Sequence, residues 1–151
     1  MVQRWNICRR GGMGKMLFSL VVMVVMLLPS LALGGTASPD GANLYIISPS
    51  AGEVVQNPVT VKFGLQVMGV APAGVDKPNT GHHHLLIDTA VPSLDKPIPS
   101  DATHKHFGKG QTETSLMLSA GKHTLQLILG DKGHIPFSPP VISDKITITV
   151  K

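Results

Sequence analysis

The chain lacks several features that mark common classes of protein. It has one cysteine, Cys8, among its 151 residues, so it can form no internal disulfide and no thiolate cluster for a metal ion. It has only one tryptophan, one tyrosine and four phenylalanines, which leaves few rings for a surface that stacks on sugars. No long segment has the 3.6-residue apolar period of an amphipathic helix, and a helical fold is therefore not expected.

Excess positive charge is also missing from most of the chain. The formal net charge is +4, but the three arginines and Lys15 all lie within the first 15 residues. The remainder has nine lysines and nine acidic residues and is formally neutral. Binding to nucleic acid requires a cationic surface that neutralises phosphates. We therefore expect no nucleic-acid partner.

The N-terminal residues have the layout of a secretory signal peptide. Basic residues precede the apolar run at 16–28, which Pro29 ends, and small residues follow in LALGGTAS. These 13 apolar residues are too few to span a bilayer comfortably. We therefore expect cleavage between Ala32 and Ser38 and no membrane span afterwards, whether translation starts at Met1 or Met13.

Residues 1–37 are thus the predicted signal peptide, and residues 38–151 are predicted to form one periplasmic or secreted domain. In the domain, segments with apolar residues at every second position alternate with turn-forming clusters, as in β-strands. The predicted strands are residues 43–48, 58–68, 82–88, 112–118, 123–130 and 145–150, with at most one short edge strand in residues 89–111. Six or seven such strands predict an all-β fold, an immunoglobulin-like antiparallel β-sandwich.

The seven histidines are the most informative polar residues, and all of them follow the signal peptide. Side chains alternate along a strand, so in GHHHLLID His82 and His84 face one side and His83 faces the other. Imidazole is a good ligand for zinc and copper. The spacing therefore predicts that His82 and His84 form a chelating pair, while His83 is a packed or hydrogen-bonded core residue.

Further ligands must come from other segments. If residues 89–103 contain a strand that returns to the end of the domain where His82 and His84 lie, the HKH segment at 104–106 and the loop after the 123–130 strand meet them there. The ion is predicted to be copper or zinc, and the predicted ligands are His82, His84, His104, His106 and His134.

Three other residues have predicted roles at or near this site. Met68 could add a thioether to the site if the ion were Cu(I). Asp88 is a candidate acceptor for the N–H of a ligand imidazole. His123 is expected to have a structural role near a turn.

Four segments together resemble a family of small exported bacterial proteins known as domain of unknown function 4399: SPSAGEVVQNPVTVKFGL, PAGVDKPNTGHHHLLID, HKHFGKGQTETSLMLSAGKHTLQLILGD and HIPFSPPVISDKITITV. The resemblance covers essentially the whole predicted domain, and its most specific motifs are GHHHLLID and HFGKGQTE. It implies export but no particular activity. The opening SPSAGEVVQNPVTVKF is also similar to the start of small periplasmic copper-carrier sandwiches.

These observations predict a non-catalytic metal-binding module of the cell envelope. The alternative is a structural or adhesive module that binds an envelope protein or glycan without a metal. We expect no enzyme, because no serine lies in a nucleophile elbow. The disulfide and the arginine of a copper–zinc superoxide dismutase are also missing from the predicted domain.

Overall fold

A computed structural model describes Met1 and residues 35–151 of the chain. Residues 2–34, most of the predicted signal peptide at residues 1–37, lie outside this described part. The described residues form nine strands: β1 (Asn43–Ser48), β2 (Val54–Val55), β3 (Val59–Gln66), β4 (Gly69–Val70), β5 (Thr80–Ile87), β6 (His104–His106), β7 (Glu113–Leu116), β8 (Gly121–Gly130) and β9 (Ile146–Val150). They include no helix long and apolar enough to cross a membrane.

The strands form two sheets. The smaller sheet has the order β1-β3-β7 and is antiparallel throughout. The larger sheet has the order β2-β9-β8-β5-β4, and β6 also pairs with β5. Its main pairs are antiparallel, whereas the two-residue strands β2 and β4 pair in parallel with β9 and β5. The all-β sandwich predicted from the sequence is confirmed.

The hydrophobic core lies between the two sheets. Val61 and Phe63 from β3 and Leu85, Leu127 and Ile148 from the larger sheet are all at most 4% exposed. They lie at alternate positions of their strands, as the period-two pattern predicts. Each fully buried side chain of this kind contributes about 1.5–3 kcal/mol.

The outer face of the larger sheet is covered as well. Leu86 and Ile128 on this face pack against Ile98 and Ile142, which belong to the segments after β5 and β8. As a result β5 is buried on both faces, and all its residues after Thr80 are buried. His82 and His84 share the outer face with Leu86, since side chains two residues apart point to the same side.

The chain between β5 and β7 differs from the sequence prediction. The expected returning strand within residues 89–103 is absent from the described structure, and the only strand between β5 and β7 is β6, which contains both histidines of the HKH segment. Pro92, Pro97 and Pro99 lack the N–H groups that a strand ladder requires. The HKH segment therefore reaches the site by pairing directly with β5, without an intervening strand.

Candidate metal centre

Four histidines from three separate segments meet on the outer face of the larger sheet. His82 and His84 belong to β5, His106 belongs to β6, and His134 lies between β8 and β9. One ring nitrogen from each lies within 4.8 Å of the others. Nε2 of His82 is 3.0 Å from Nε2 of His84 and 3.1 Å from Nδ1 of His134. Ligand nitrogens of a tetrahedral zinc site are about 3.3 Å apart, given a Zn–N distance of about 2.0–2.1 Å.

The geometry of the sheet places three of these rings. His82 and His84 share a face because they are two positions apart on β5. His106 lies directly opposite His84 in the antiparallel β5–β6 pair, and opposed residues in such a pair point to the same face. The ring centroids of His84 and His106 are 5.0 Å apart.

The fourth ring is placed by a turn built around Asp131. The Oδ1 atom of Asp131 accepts hydrogen bonds from the backbone N–H groups of Gly133 at 2.8 Å and Ile135 at 3.0 Å. The N–H of His134 donates to the carbonyl oxygen of Asp131 at 2.9 Å. His134 has a φ of 66°, a left-handed conformation that is uncommon for residues other than glycine. The turn directs its ring to within 4.9 Å of the His82 ring, measured between centroids.

Two glycines leave room for the rings. Gly130 lies opposite His82 in the β5–β8 pair, and a Cβ atom at this position would be 3.1 Å from Nε2 of His84. A Cβ atom at Gly108 would overlap the ring of His106. Larger residues at these positions would therefore displace the rings.

Burial keeps the imidazoles of His82 and His84 neutral. His82 and His84 are each 1% exposed. Burial, together with the neighbouring imidazoles, lowers the pKa of His84 to about 3 and that of His82 to about 4, although Asp131 acts in the opposite direction on His82. Burial and then His134 also lower the pKa of His106. Neutral imidazole is the form that binds metal ions.

The donor set fits a borderline transition-metal ion. Among the described residues no carboxylate hydrogen-bonds to any of the four rings, and Nε2 of His106 is buried without a hydrogen-bond partner. Buried polar atoms normally have partners. Imidazole nitrogens suit zinc, copper or nickel, whereas magnesium and calcium prefer oxygen ligands.

The fifth predicted ligand, His104, is not in this group. It lies opposite Leu86, one pair further along the β5–β6 ladder than His106. Its Nδ1 atom is 3.0 Å from both carboxylate oxygens of Asp101. His104 therefore shares the face of His106 but is held by a different partner.

The expected roles of Asp88 and Met68 at the site are wrong. Asp88 follows the end of β5, far along the strand from His82 and His84, and its Oδ2 atom accepts a hydrogen bond from Nδ1 of His123 at 2.6 Å. Met68 is 8% exposed and packs in the core between the sheets.

The expected core position of His83 is confirmed. Its side chain is fully buried, and its ring centroid lies 5.2 Å from that of Phe63. The roles of Asp131, Gly108 and Gly130 were not predicted. The Asp131–Lys132–Gly133 stretch has turn-forming composition, but composition alone does not show that the turn positions a ligand.

The fold and the site define a class of protein, a β-sandwich domain with a four-histidine cluster on the outer face of one sheet. Residues 61–151 match the family described as Domain of unknown function (DUF4399), and the chain belongs to this family. The match includes all four clustered histidines and confirms the resemblance found in the sequence. No curated protein and no solved structure matches the chain significantly.

Proposed function

We propose that this protein is an exported, non-catalytic module of the cell envelope that binds one copper or zinc ion through four histidines. The observation that supports this most strongly is the convergence of His82, His84, His106 and His134, whose ring nitrogens lie within 4.8 Å of one another. Sheet pairing, the Asp131 turn and two glycines all contribute to that convergence, so several separate features of the fold serve the same arrangement.

Metal binding accounts for the cluster better than hydrogen bonding within it. A neutral imidazole has one donor and one acceptor nitrogen. The four rings make two close contacts between ring nitrogens, and Nε2 of His106 and Nδ1 of His84 are left without partners. Burying unpaired polar atoms is costly, whereas one ion would accept a lone pair from each ring.

The number of ligands supports a binding role over a catalytic one. Structural zinc sites have four protein ligands, whereas catalytic sites have three and keep a position for water or substrate. Four histidines would fill a tetrahedral coordination sphere. Export is supported by the basic and apolar segments of residues 1–28, which have the layout of a signal peptide.

Calorimetric titration with Zn(II) and Cu(II) tests this function. The protein is expressed with its own N-terminal segment and compared with the double variant His82→Ala, His84→Ala. We expect one ion per chain for the wild type and at least about a hundredfold weaker binding for the variant. His104→Ala is the matched control, because it removes a histidine from the same face outside the group, and it should bind like the wild type.

Equal binding by the wild type and the double variant would contradict the proposed site. If the wild type binds neither ion, the metal-binding function is wrong. A partner protein or glycan that is captured equally well with and without EDTA would then favour the structural or adhesive alternative.

A further inference from the structure

Residues 35–38, where the continuously described part of the chain begins, pack along the segment that follows His134. The N–H of Ser138 donates to the carbonyl oxygen of Thr36 at 2.9 Å, and the N–H of Ser38 donates to the carbonyl oxygen of Ser138 at 3.2 Å. Ala37 and Ser138 form a parallel β-bridge. Residues 36–38 therefore add a short extended segment beside the chain that carries the fourth ring.

The close fit begins at Gly35. A Cβ atom at this residue would overlap the carbonyl oxygen of Pro136. Only glycine allows the two backbones to approach so closely without displacement. Gly35 and Thr36 therefore pack closely against the rest of the domain. Both nevertheless lie within the range in which signal-peptide cleavage is expected.

Thr36 also contacts the residue that builds the His134 turn. Its Oγ1 atom donates a hydrogen bond of 2.6 Å to Oδ2 of Asp131. The other oxygen, Oδ1, holds the N–H groups of Gly133 and Ile135. Asp131 is only 8% exposed, and hydrogen bonds to a charged group are stronger than those between neutral groups. Loss of the Thr36 hydroxyl would leave one oxygen of a buried carboxylate without this donor.

We propose that Thr36 is a positioning residue of the metal centre, and that the mature protein retains it because the signal peptide is cleaved no later than the bond between Gly34 and Gly35. The first part rests on the proposed function. Thr36 acts through Asp131, which fixes the turn and thereby the ring of His134. The sequence offers a suitable site, because Ala32 and Gly34 give the small-x-small pattern that precedes a cleaved bond. Cleavage after Ala37 would instead remove Thr36.

Three variants of the full chain, exported with its own signal, test the positioning role. Thr36→Val removes the hydroxyl but keeps the branched shape, Thr36→Ser restores the hydroxyl, and Ser38→Ala is the matched control. The Ser38 hydroxyl donates to the carbonyl oxygen of Pro139 at 2.8 Å, in the same segment but away from Asp131. Zinc affinity is measured by competition with a chelator, and the coordination geometry is followed by the visible spectrum of the Co(II)-loaded protein.

We expect Thr36→Val to lower zinc affinity about tenfold, the lower range for residues that orient metal ligands, and to change the Co(II) spectrum. Thr36→Ser and Ser38→Ala should match the wild type in both measurements. The Co(II) spectrum distinguishes a misplaced His134 ring from a general loss of stability. A misplaced ring changes the spectrum, whereas a loss of stability leaves the spectrum of the folded protein unaltered. Wild-type affinity and spectrum in Thr36→Val would overturn the positioning role while leaving the proposed function intact. Absence of metal binding by the wild type would overturn both.

The intact mass of the exported wild-type protein tests the processing site and needs no metal. A mature N-terminus at residue 33, 34 or 35 is the expected result. A mature chain that begins at Ser38 would overturn the inference, because Thr36 would then be absent from the working protein.

Discussion

His83 and His84 are neighbours on β5 with opposite surroundings. His84 faces the other rings of the centre, and its Nε2 atom lies 3.0 Å from Nε2 of His82. His83 faces the core against Phe63, and its ring makes at most a weak hydrogen bond to the backbone of Gln111. Burial lowers the pKa of His83 to about 4, so this ring is neutral at neutral pH. Its position follows from strand alternation and does not require a role in binding.

Replacing each of these two histidines with leucine should have opposite effects. We expect His84→Leu to weaken zinc binding strongly, whereas His83→Leu should bind zinc like the wild type. The second change also removes a buried imidazole that makes at most one weak hydrogen bond, so the free energy of unfolding should change by no more than about 1 kcal/mol. Calorimetry and urea unfolding measure both effects. Loss of zinc binding in a folded His83→Leu protein would contradict the assignment of faces.

Gly108 should be important for the centre, although it contributes no donor atom. A Cβ atom at this position overlaps the His106 ring, so Gly108→Ala should displace the ring and lower zinc affinity about tenfold or more. Gly133→Ala is the matched control, because a Cβ there would only make an ordinary 3.5 Å contact with Oδ1 of Asp131. Equal affinities of the two variants would show that the His106 ring does not require this space.

His123 and Asp88 form an ion pair beyond the other end of β5. Nδ1 of His123 is 2.6 Å from Oδ2 of Asp88, and Nε2 is 2.9 Å from the carbonyl oxygen of Ser119. The hydrogen bond to Asp88, followed by that to Ser119, raises the pKa of His123. Both ring nitrogens therefore face acceptors, an arrangement that favours the protonated form of the ring.

The contribution of His123 to stability should depend on pH. Because its folded-state pKa is raised, its stabilising effect is fully present below the unfolded value of about 6.5 and is lost as pH rises through the folded value. We expect His123→Gln to destabilise the protein by about 0.5–1 kcal/mol at pH 5.5 and by less at pH 8.5. Chemical unfolding of both proteins at the two pH values measures this. A larger loss at pH 8.5 would contradict the ion pair.

At the scale of elements, the sequence predicted the strands better than their connections. Alternating apolar residues located β3 and β8, and the same alternation separated His83 from the pair His82 and His84. These inferences succeed because the side-chain direction along a strand depends only on local geometry.

The unpredicted parts of the site depend on contacts between distant segments. Three-residue β6 is too short for a periodic signal, so the register that places His106 opposite His84 came only from the structure. The Asp131 turn and its contact with Thr36 join residues 95 positions apart. The sequence prediction therefore included all four clustered histidines. It also included His104, because the HKH spacing does not show which of its two histidines is a ligand.

At the scale of the whole molecule, stability depends on the core between the sheets, because the described domain contains no cysteine. The proposed ion would link β5, β6 and the segment after β8 through side chains alone. An ion that binds only the folded state adds about 2.7 kcal/mol at a free concentration one hundred times its Kd.

Zinc should therefore raise the thermal midpoint of unfolding of the wild-type protein. For a domain of this size we expect a rise of about 10 °C at that excess. The double variant His82→Ala, His84→Ala should show no rise under the same conditions. Scanning calorimetry with and without zinc measures the effect, and an equal rise in both proteins would show that zinc stabilises the fold from another site.

The most direct measurement is an anomalous difference map at the zinc and copper absorption edges, from crystals of protein purified without added metal from the cells that naturally produce it. The four-histidine centre predicts one peak among the rings of His82, His84, His106 and His134, about 2.0–2.1 Å from a nitrogen of each. The proposed centre would be contradicted if the four rings occupied these positions with no peak between them at either edge. It would also be contradicted if the peak lay among other residues.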